Sequence, residues 1–95
     1  MKYRIAVPPH VEAFISSLPP LLKSKIRAGL EVLQEDPHAG KPLKEELRGL
    51  WSYRVSRYRI IYRIDHHRIE VQIIEVGSRA IIYEKVLLWA RRLKG

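Results

Sequence analysis

The sequence predicts a single α+β domain from its length, its composition and the change in its hydrophobic periodicity. A chain of 95 residues holds one modest hydrophobic core but not two. Apolar residues make up 46% and charged residues 29%, an ordinary globular balance. Apolar residues recur at helical spacing in the first half and alternate at strand spacing in most of the second. We therefore expect residues 1–95 to fold as one domain of helices packed on an antiparallel sheet.

The N-terminal half predicts a strand followed by a helical hairpin. The stretch "KYRIAV" alternates apolar and polar positions as a half-buried strand does, and the proline pair at positions 8 and 9 ends it. Helical spacing then runs from about residue 9 to residue 17 and resumes after a second proline pair. Pro20 fits the first turn of the second helix, and Pro37 ends that helix and opens the loop "EDPHAGKP". The two stripes assigned to the core are Val11, Phe14, Ile15 and Leu18, then Leu22, Ile26, Leu30 and Leu33.

The C-terminal half predicts three strands and a last helix. "WSYRV", "YRIIYRI" and "RIEVQIIEV" alternate in the manner of strands, and their connections are short enough to require antiparallel pairing. The closing segment "SRAIIYEKVLLWARRLKG" is amphipathic, with a stripe formed by Ile82, Val86, Trp89 and Leu93. The predicted fold is an N-terminal strand joined to a three-stranded antiparallel sheet, with a two-helix hairpin and a short C-terminal helix.

Several classes of protein are excluded by what the sequence lacks. It contains no cysteine, which rules out disulfides and cysteine-based zinc sites and suits a reducing compartment. Early prolines interrupt any signal-like segment, and no apolar run approaches membrane-spanning length. The four histidines are assigned to exposed turns and loops. We expect a cytoplasmic protein with no cofactor, no metal and no membrane contact.

Charge is concentrated in the second half of the chain. The formal net charge is +8, and residues 51–95 hold ten basic but only four acidic side chains. Most of the ten are arginine, whose planar guanidinium suits bidentate contact with phosphate. Strand alternation directs these arginines to one sheet face, while the opposite face packs against the helices. A solvated face neutralised by carboxylates is the alternative, but the nearby Asp65, Glu70 and Glu75 are too few, so a polyanionic partner is favoured.

Two segments resemble a known family. "LRGLWSYRVSRYRIIYRI" and "EVGSRAIIYE", together with the order of elements, resemble the RelE/ParE superfamily of bacterial and archaeal type II toxins. "DPHAGKPLKEELRGLWSYRV" is similar to the loop that precedes the second strand in that family. The likeness covers essentially the whole chain. It implies a RelE-like fold and a toxin that forms a hetero-oligomer with a cognate acidic, RelB-like antitoxin.

The resemblance also implies two contrasting activities. RelE-like members cut mRNA in the ribosomal A site without a metal ion, whereas ParE-like members inhibit DNA gyrase and cut nothing. The shared fold does not choose between them. Retained basic and phenolic residues favour the endoribonuclease, with ribosome and mRNA as partners. The alternatives are a ParE-like gyrase inhibitor and an inactive member that binds only its antitoxin.

Site residues follow from the same resemblance. RNA cleavage needs a group that deprotonates the 2′-hydroxyl, cations that stabilise a crowded phosphorane and a group that protonates the departing 5′-oxygen, and Tyr83 could act as the base or as the donor. By position, the residues that match the family's catalytic groups are Arg54, Arg59, Arg79 and Tyr83. The residues expected to bind RNA around them are Arg57, Arg63, Lys41 and Lys44.

Two positions depart from the family pattern. Ser52 stands where relatives often carry Lys or Arg, and Ser78 stands where many carry histidine. These serines supply neither a charge nor an imidazole, which predicts a modest enzyme that depends on positioning by the ribosome. For Tyr83, packing at the start of the last helix remains the alternative to catalysis.

Overall fold

A computed structural model describes residues 2–94, except for the side chain of Lys94, and confirms the α+β class. The strands are β1 (Arg4–Ala6), β2 (Lys41–Pro42), β3 (Trp51–Val55), β4 (Tyr58–Asp65) and β5 (Glu70–Ser78). The helices are α1 (Pro9–Ser17), α2 (Pro20–Glu35) and α3 (Arg79–Lys94). Short 3-10 turns occupy Pro37–Ala39 and Glu45–Leu47. Gly95, the end of the predicted last helix, lies outside the described residues.

The strands form one mixed sheet in the order β1-β5-β4-β3-β2. β1 runs parallel to β5, and the other pairs are antiparallel. Strand β2 lies within the segment that the sequence predicts to be a loop. Its two residues, Lys41 and Pro42, pair with Ser52 and Trp51. A two-residue strand has no alternation to detect, and its proline is tolerated because β2 is an edge strand.

Helices α1 and α2 cover one face of the sheet. Each begins at the second member of a proline pair, where the missing N–H needs no partner. Arg27 on α2 lies 2.8 Å from the carboxylate of Glu12 on α1, and this hydrogen bond lowers the pKa of Glu12. The apolar side chains that these helices and the sheet bury together include Val11, Ile15, Ile26, Leu33, Ile60, Tyr62 and Val71.

Helix α3 packs on the opposite face, which corrects one prediction. The sequence predicts that this face presents arginines while the helices pack on the other. A second core lies there instead, formed by Leu50, Ile61, Ile82 and Val86. Ile61 lies between Arg59 and Arg63 along β4. Its apolar side chain is buried against the side of α3 that carries Ile82 and Val86. The arginine face is therefore divided by a helix.

Candidate active site

Four arginines meet where the β3–β4 hairpin turns and α3 begins. Arg54 and Arg59 are directly opposite each other in the antiparallel register, so their side chains share a face. Arg57 lies in the turn between them, and its carbonyl accepts a hydrogen bond from the backbone N–H of Arg79 at 3.2 Å. We call Arg54, Arg57, Arg59 and Arg79 the arginine cluster. Sequence reasoning selects all four, and the fold brings them to one end of the sheet.

The backbone around the turn fixes this arrangement. Ser56 adopts a positive φ of 57°, and its carbonyl accepts a hydrogen bond from Nε of Arg54 at 3.3 Å. Gly77 lies opposite Arg59 in β5, and a Cβ there would approach Cδ1 of Ile82 to 3.1 Å. The glycine thus lets α3 start directly after β5 and pack closely beside Arg59.

The arginine cluster is not neutralised within the described side chains. The ion pairs among residues 2–93 involve Lys2, His10, Arg27, Arg68 and Arg91, and none includes a member of the cluster. Like charges directly opposite each other on a sheet are destabilising. Arg54, Arg57 and Arg79 are exposed, and Arg59 is half-buried. The cluster therefore offers concentrated positive charge to an anionic ligand.

Tyr83 reaches the same face from α3. Its hydroxyl lies 3.3 Å from Oγ of Ser52, and either group can donate the hydrogen bond. Ser52 is 5% exposed and precedes Arg54 by two residues, so the two side chains share a strand face. The ring of Tyr83 also packs against the core that contains Ile82. Tyr83 therefore packs at the start of α3 while its hydroxyl stays within hydrogen-bond distance of Ser52, and its catalytic role remains a prediction.

Sequence reasoning treated Ser52 only as a missing charge. In the structure, its hydroxyl is the group that contacts the phenol of Tyr83. The signal available in the sequence was its spacing: Ser52 and Arg54 lie two residues apart on one predicted strand. What the sequence did not provide was the position of α3, which determines which strand residue meets Tyr83.

Edge strand β2 brings Lys41 next to these groups. Lys41 lies directly opposite Ser52 in the register, so its side chain extends from the same face. The segment before β2 is held by the hydroxyl of Tyr62, which donates to the carbonyl of Pro37 at 2.6 Å and accepts from the N–H of Gly40 at 3.2 Å. Burial raises the pKa of Tyr62 to about 12, so the phenol remains a neutral donor.

Other predicted residues lie away from the arginine cluster. Arg63 is four residues from Arg59 along β4, or roughly 13 Å, and Ile61 under α3 separates them. Nε of Arg63 donates to Oε1 of Gln72 at 2.9 Å, and its guanidinium lies 6.0 Å from the ring centroid of Trp89. Lys44 is an exposed residue just before a 3-10 turn.

Ser78 ends β5, directly before Arg79 of the arginine cluster. It lies opposite Tyr58 in the register, and directly opposite residues share a face. Tyr58 packs against the core formed with α1 and α2. The register therefore directs the Ser78 side chain toward the side of the sheet that carries Tyr58.

Two of the four histidines, His38 and His66, pack against each other. His38 stacks on His66 with ring centroids 5.8 Å apart and contacts the ring of Trp51 at 5.1 Å. Trp51 packs against the α1–α2 core, on the face away from Ser52. Within residues 2–94, no cluster of three or more His, Asp or Glu side chains is arranged to hold a metal ion. No helix in the same range combines the length and apolarity needed to cross a bilayer.

Comparison with known proteins places this architecture in a family. Residues 8–83 match the family described as ParE toxin of type II toxin-antitoxin system, parDE. Toxin RelG of Mycobacterium tuberculosis is 34% identical over 87 residues, which cover 90% of this chain and 100% of RelG.

Solved structures agree with the sequence comparisons. The toxin–antitoxin complex RelBE2 of Mycobacterium tuberculosis contains a chain with a TM-score of 0.75 and 31% identity, covering 83% of this chain and 100% of that one. A mutant of the E. coli toxin RelE in the free state has a TM-score of 0.71 at 19% identity, covering 90% and 96% of the two chains, and shows the shared fold. The chain belongs to the RelE/ParE superfamily and is a toxin of a type II toxin–antitoxin system.

Proposed function

We propose that this toxin inhibits translation by cutting ribosome-bound mRNA without a metal ion. The observation that supports the proposal is the un-neutralised arginine cluster, with the phenol of Tyr83 held on the same sheet face. Phosphoryl transfer to a neighbouring hydroxyl is accelerated when fixed cations surround the phosphate and a proton donor faces the leaving oxygen. The toxin's relatives named RelE and RelG are consistent with this activity.

Each of these groups has its own role in the proposed reaction. The 2′-oxygen attacks the adjacent phosphorus and releases its proton to solvent, and the bond from phosphorus to the 5′-oxygen breaks. Arg54 and Arg59 contact the non-bridging oxygens and stabilise the charge that builds up in the phosphorane. Tyr83 donates its proton to the departing 5′-oxygen and recovers one from solvent. Arg79 binds the phosphate from the start of α3, and Arg57 contacts the RNA backbone nearby.

The first experiment measures cleavage of a ribosome-bound messenger by purified toxin that has been treated with a chelator and then separated from it, because the ribosome itself requires Mg²⁺. We expect cuts in the A site, and we expect Arg79→Ala and Tyr83→Phe each to lower the cleavage rate at saturating ribosome by at least about tenfold, a transition-state difference of roughly 1.4 kcal/mol. Lys2→Ala, an exposed change just before β1 at the opposite edge of the sheet from β2, is the control and should cleave at the wild-type rate. Equal rates in wild type and both variants would contradict the assigned roles.

A second candidate function is inhibition of DNA gyrase. The observation that favours it is the match of residues 8–83 to a family described by its ParE toxin. In that case the arginine cluster contacts a protein surface and Tyr83 has a packing role. A folded protein that cuts no messenger but blocks gyrase supercoiling would replace the nuclease proposal with this one.

We also propose an acidic antitoxin as the partner, because the similar structures include complexes with RelB-type antitoxins. A groove beside α3 suits such a segment. Ile74, Leu88 and Trp89 provide apolar walls, and Lys85 and Arg92 provide positive charge, while the carboxylate of Glu75 lies 3.5 Å from the ring of His10. Leu88 is 55% exposed, so the groove has apolar surface to bury. Co-purification with the product of the adjacent gene tests this partner, and elution of the toxin alone would contradict it.

A further inference from the structure

Edge strand β2 places a lysine beside the phenol of the candidate active site. Lys41 is the register partner of Ser52, whose Oγ lies 3.3 Å from the hydroxyl of Tyr83. We propose that Lys41 is a further catalytic residue whose ammonium contacts the scissile phosphate, in addition to the arginine cluster. The proposal rests on the nuclease function proposed above. It assigns Lys41 to the phosphate that reacts, not to another phosphate of the RNA backbone.

The geometry gives Lys41 the necessary reach. Adjacent strands are about 4.8 Å apart, and residues two apart on one strand are separated by roughly 7 Å. The four-carbon stem of a lysine spans either distance, so its ammonium can reach a phosphate that lies between Tyr83 and Arg54. Lys41 is exposed and takes part in no ion pair among the side chains of residues 2–93. Its charge is therefore available to a ligand.

The backbone beneath Lys41 is held on both sides. On one side, the N–H of Leu43 donates to the carbonyl of Leu50 at 2.9 Å. On the other, Gly40 fits so closely that a Cβ there would lie 2.6 Å from Oη of Tyr62 and 2.7 Å from the carbonyl oxygen of Ser52. Because the backbone is fixed, the position of the ammonium depends on the conformation of the lysine side chain alone. This side chain is long enough to stay in contact with the phosphate as the reaction proceeds.

The chemistry explains what a lysine adds here. As the 2′-oxygen adds to phosphorus, negative charge grows on the non-bridging oxygens before the 5′-oxygen departs. Arg54 and its register partner Arg59 lie two residues beyond Ser52 along the sheet, and Ser52 itself brings no charge to the Tyr83 end. An ammonium at this end stabilises the phosphorane where the leaving oxygen receives its proton.

The test compares single-turnover cleavage of ribosome-bound messenger by Lys41→Met, Lys41→Arg and Lys2→Met. Lys2 is an exposed lysine just before β1, at the edge of the sheet opposite β2, and provides a change of equal charge away from the site. We expect Lys41→Met to lower the rate at saturating ribosome by at least tenfold while the half-saturating concentration changes by less than threefold. Lys41→Arg should stay within about threefold of wild type, and Lys2→Met within twofold.

Each outcome bears on the proposal. A Lys41→Met rate within twofold of wild type would overturn it, as would a loss confined to the half-saturating concentration, which would make Lys41 a peripheral RNA contact. If the wild type cuts no messenger, the proposed nuclease function fails and the role of Lys41 fails with it. Cleavage by wild type and Lys2→Met with selective loss in Lys41→Met supports the proposal.

Discussion

At the residue scale, two tyrosines have different tasks. Tyr62 is fully buried and uses its hydroxyl to hold the Pro37–Gly40 segment against the sheet. Tyr83 is half-buried and presents its hydroxyl to Ser52. The sequence predicts that Tyr62 lies on the core face of a strand and that Tyr83 lies on the last helix, because strand alternation and helix spacing are visible in it. It does not reveal the hydrogen bonds of the two hydroxyls, because their partners come from elements distant along the chain.

Replacing Tyr62 tests its structural task. At neutral pH, Tyr62→Phe should lower the free energy of unfolding by about 1–2 kcal/mol, because the Pro37 carbonyl loses its donor and the Gly40 N–H its acceptor. The measurement is urea unfolding monitored by circular dichroism. An unchanged midpoint in Tyr62→Phe would contradict the assigned role.

The raised pKa of Tyr62 also predicts an alkaline loss of stability. An unfolded tyrosine releases its proton near pH 10, whereas the folded side chain retains it up to about pH 12. Its contribution is thus complete below about pH 10 and is lost between pH 10 and 12, by up to about 3 kcal/mol. Unfolding as a function of pH should show this loss in wild type and in Tyr58→Phe but less of it in Tyr62→Phe, because Tyr58 does not contribute to the raised pKa of Tyr62.

At the element scale, α3 decides the form of the candidate site. Its Ile82 and Val86 cover Ile61 and divide the arginine face, so Arg63 is separated from Arg59. The sequence predicts the helix and its apolar stripe. It does not predict the face on which the helix packs, because that choice depends on Ile61 and Ile74, whose sheet face otherwise carries polar side chains such as Arg59 and Arg63, and on a register shift near Ile61.

The stability of α3 can be measured with two adjacent isoleucines. Ile82 is fully buried, whereas Ile81 is 46% exposed. We expect Ile82→Ala to lower the free energy of unfolding by about 3 kcal/mol, because it leaves a cavity above Ile61. Ile81→Ala should change it by less than about 0.5 kcal/mol. Equal losses in urea unfolding would show that α3 does not pack as described.

At the scale of the whole molecule, the distribution of charge is more informative than its total. The sequence gives a net charge of +8 and its concentration in the second half. Topology then collects Arg54, Arg57, Arg59 and Arg79 at one end of the sheet and leaves Arg63 against Trp89. The resemblance supplies the predicted roles. Side-chain placement around Ser52 and Lys41 required the paired edge strand, which local sequence does not indicate.

For the ribosome, the partner in the proposed function, this distribution of charge predicts how binding should depend on salt. Each phosphate contact releases counterions, so removing one contact should reduce the log–log salt slope by about 0.7–0.9. Arg57→Gln should produce that change, because Arg57 lies in the arginine cluster and has no ion-pair partner among residues 2–93. Arg27→Gln removes the same net charge from a residue paired with Glu12 and should leave the slope unchanged. Equal reductions in both variants, measured by ribosome pelleting over a range of salt concentrations, would mean that overall charge governs binding and the arginine cluster does not.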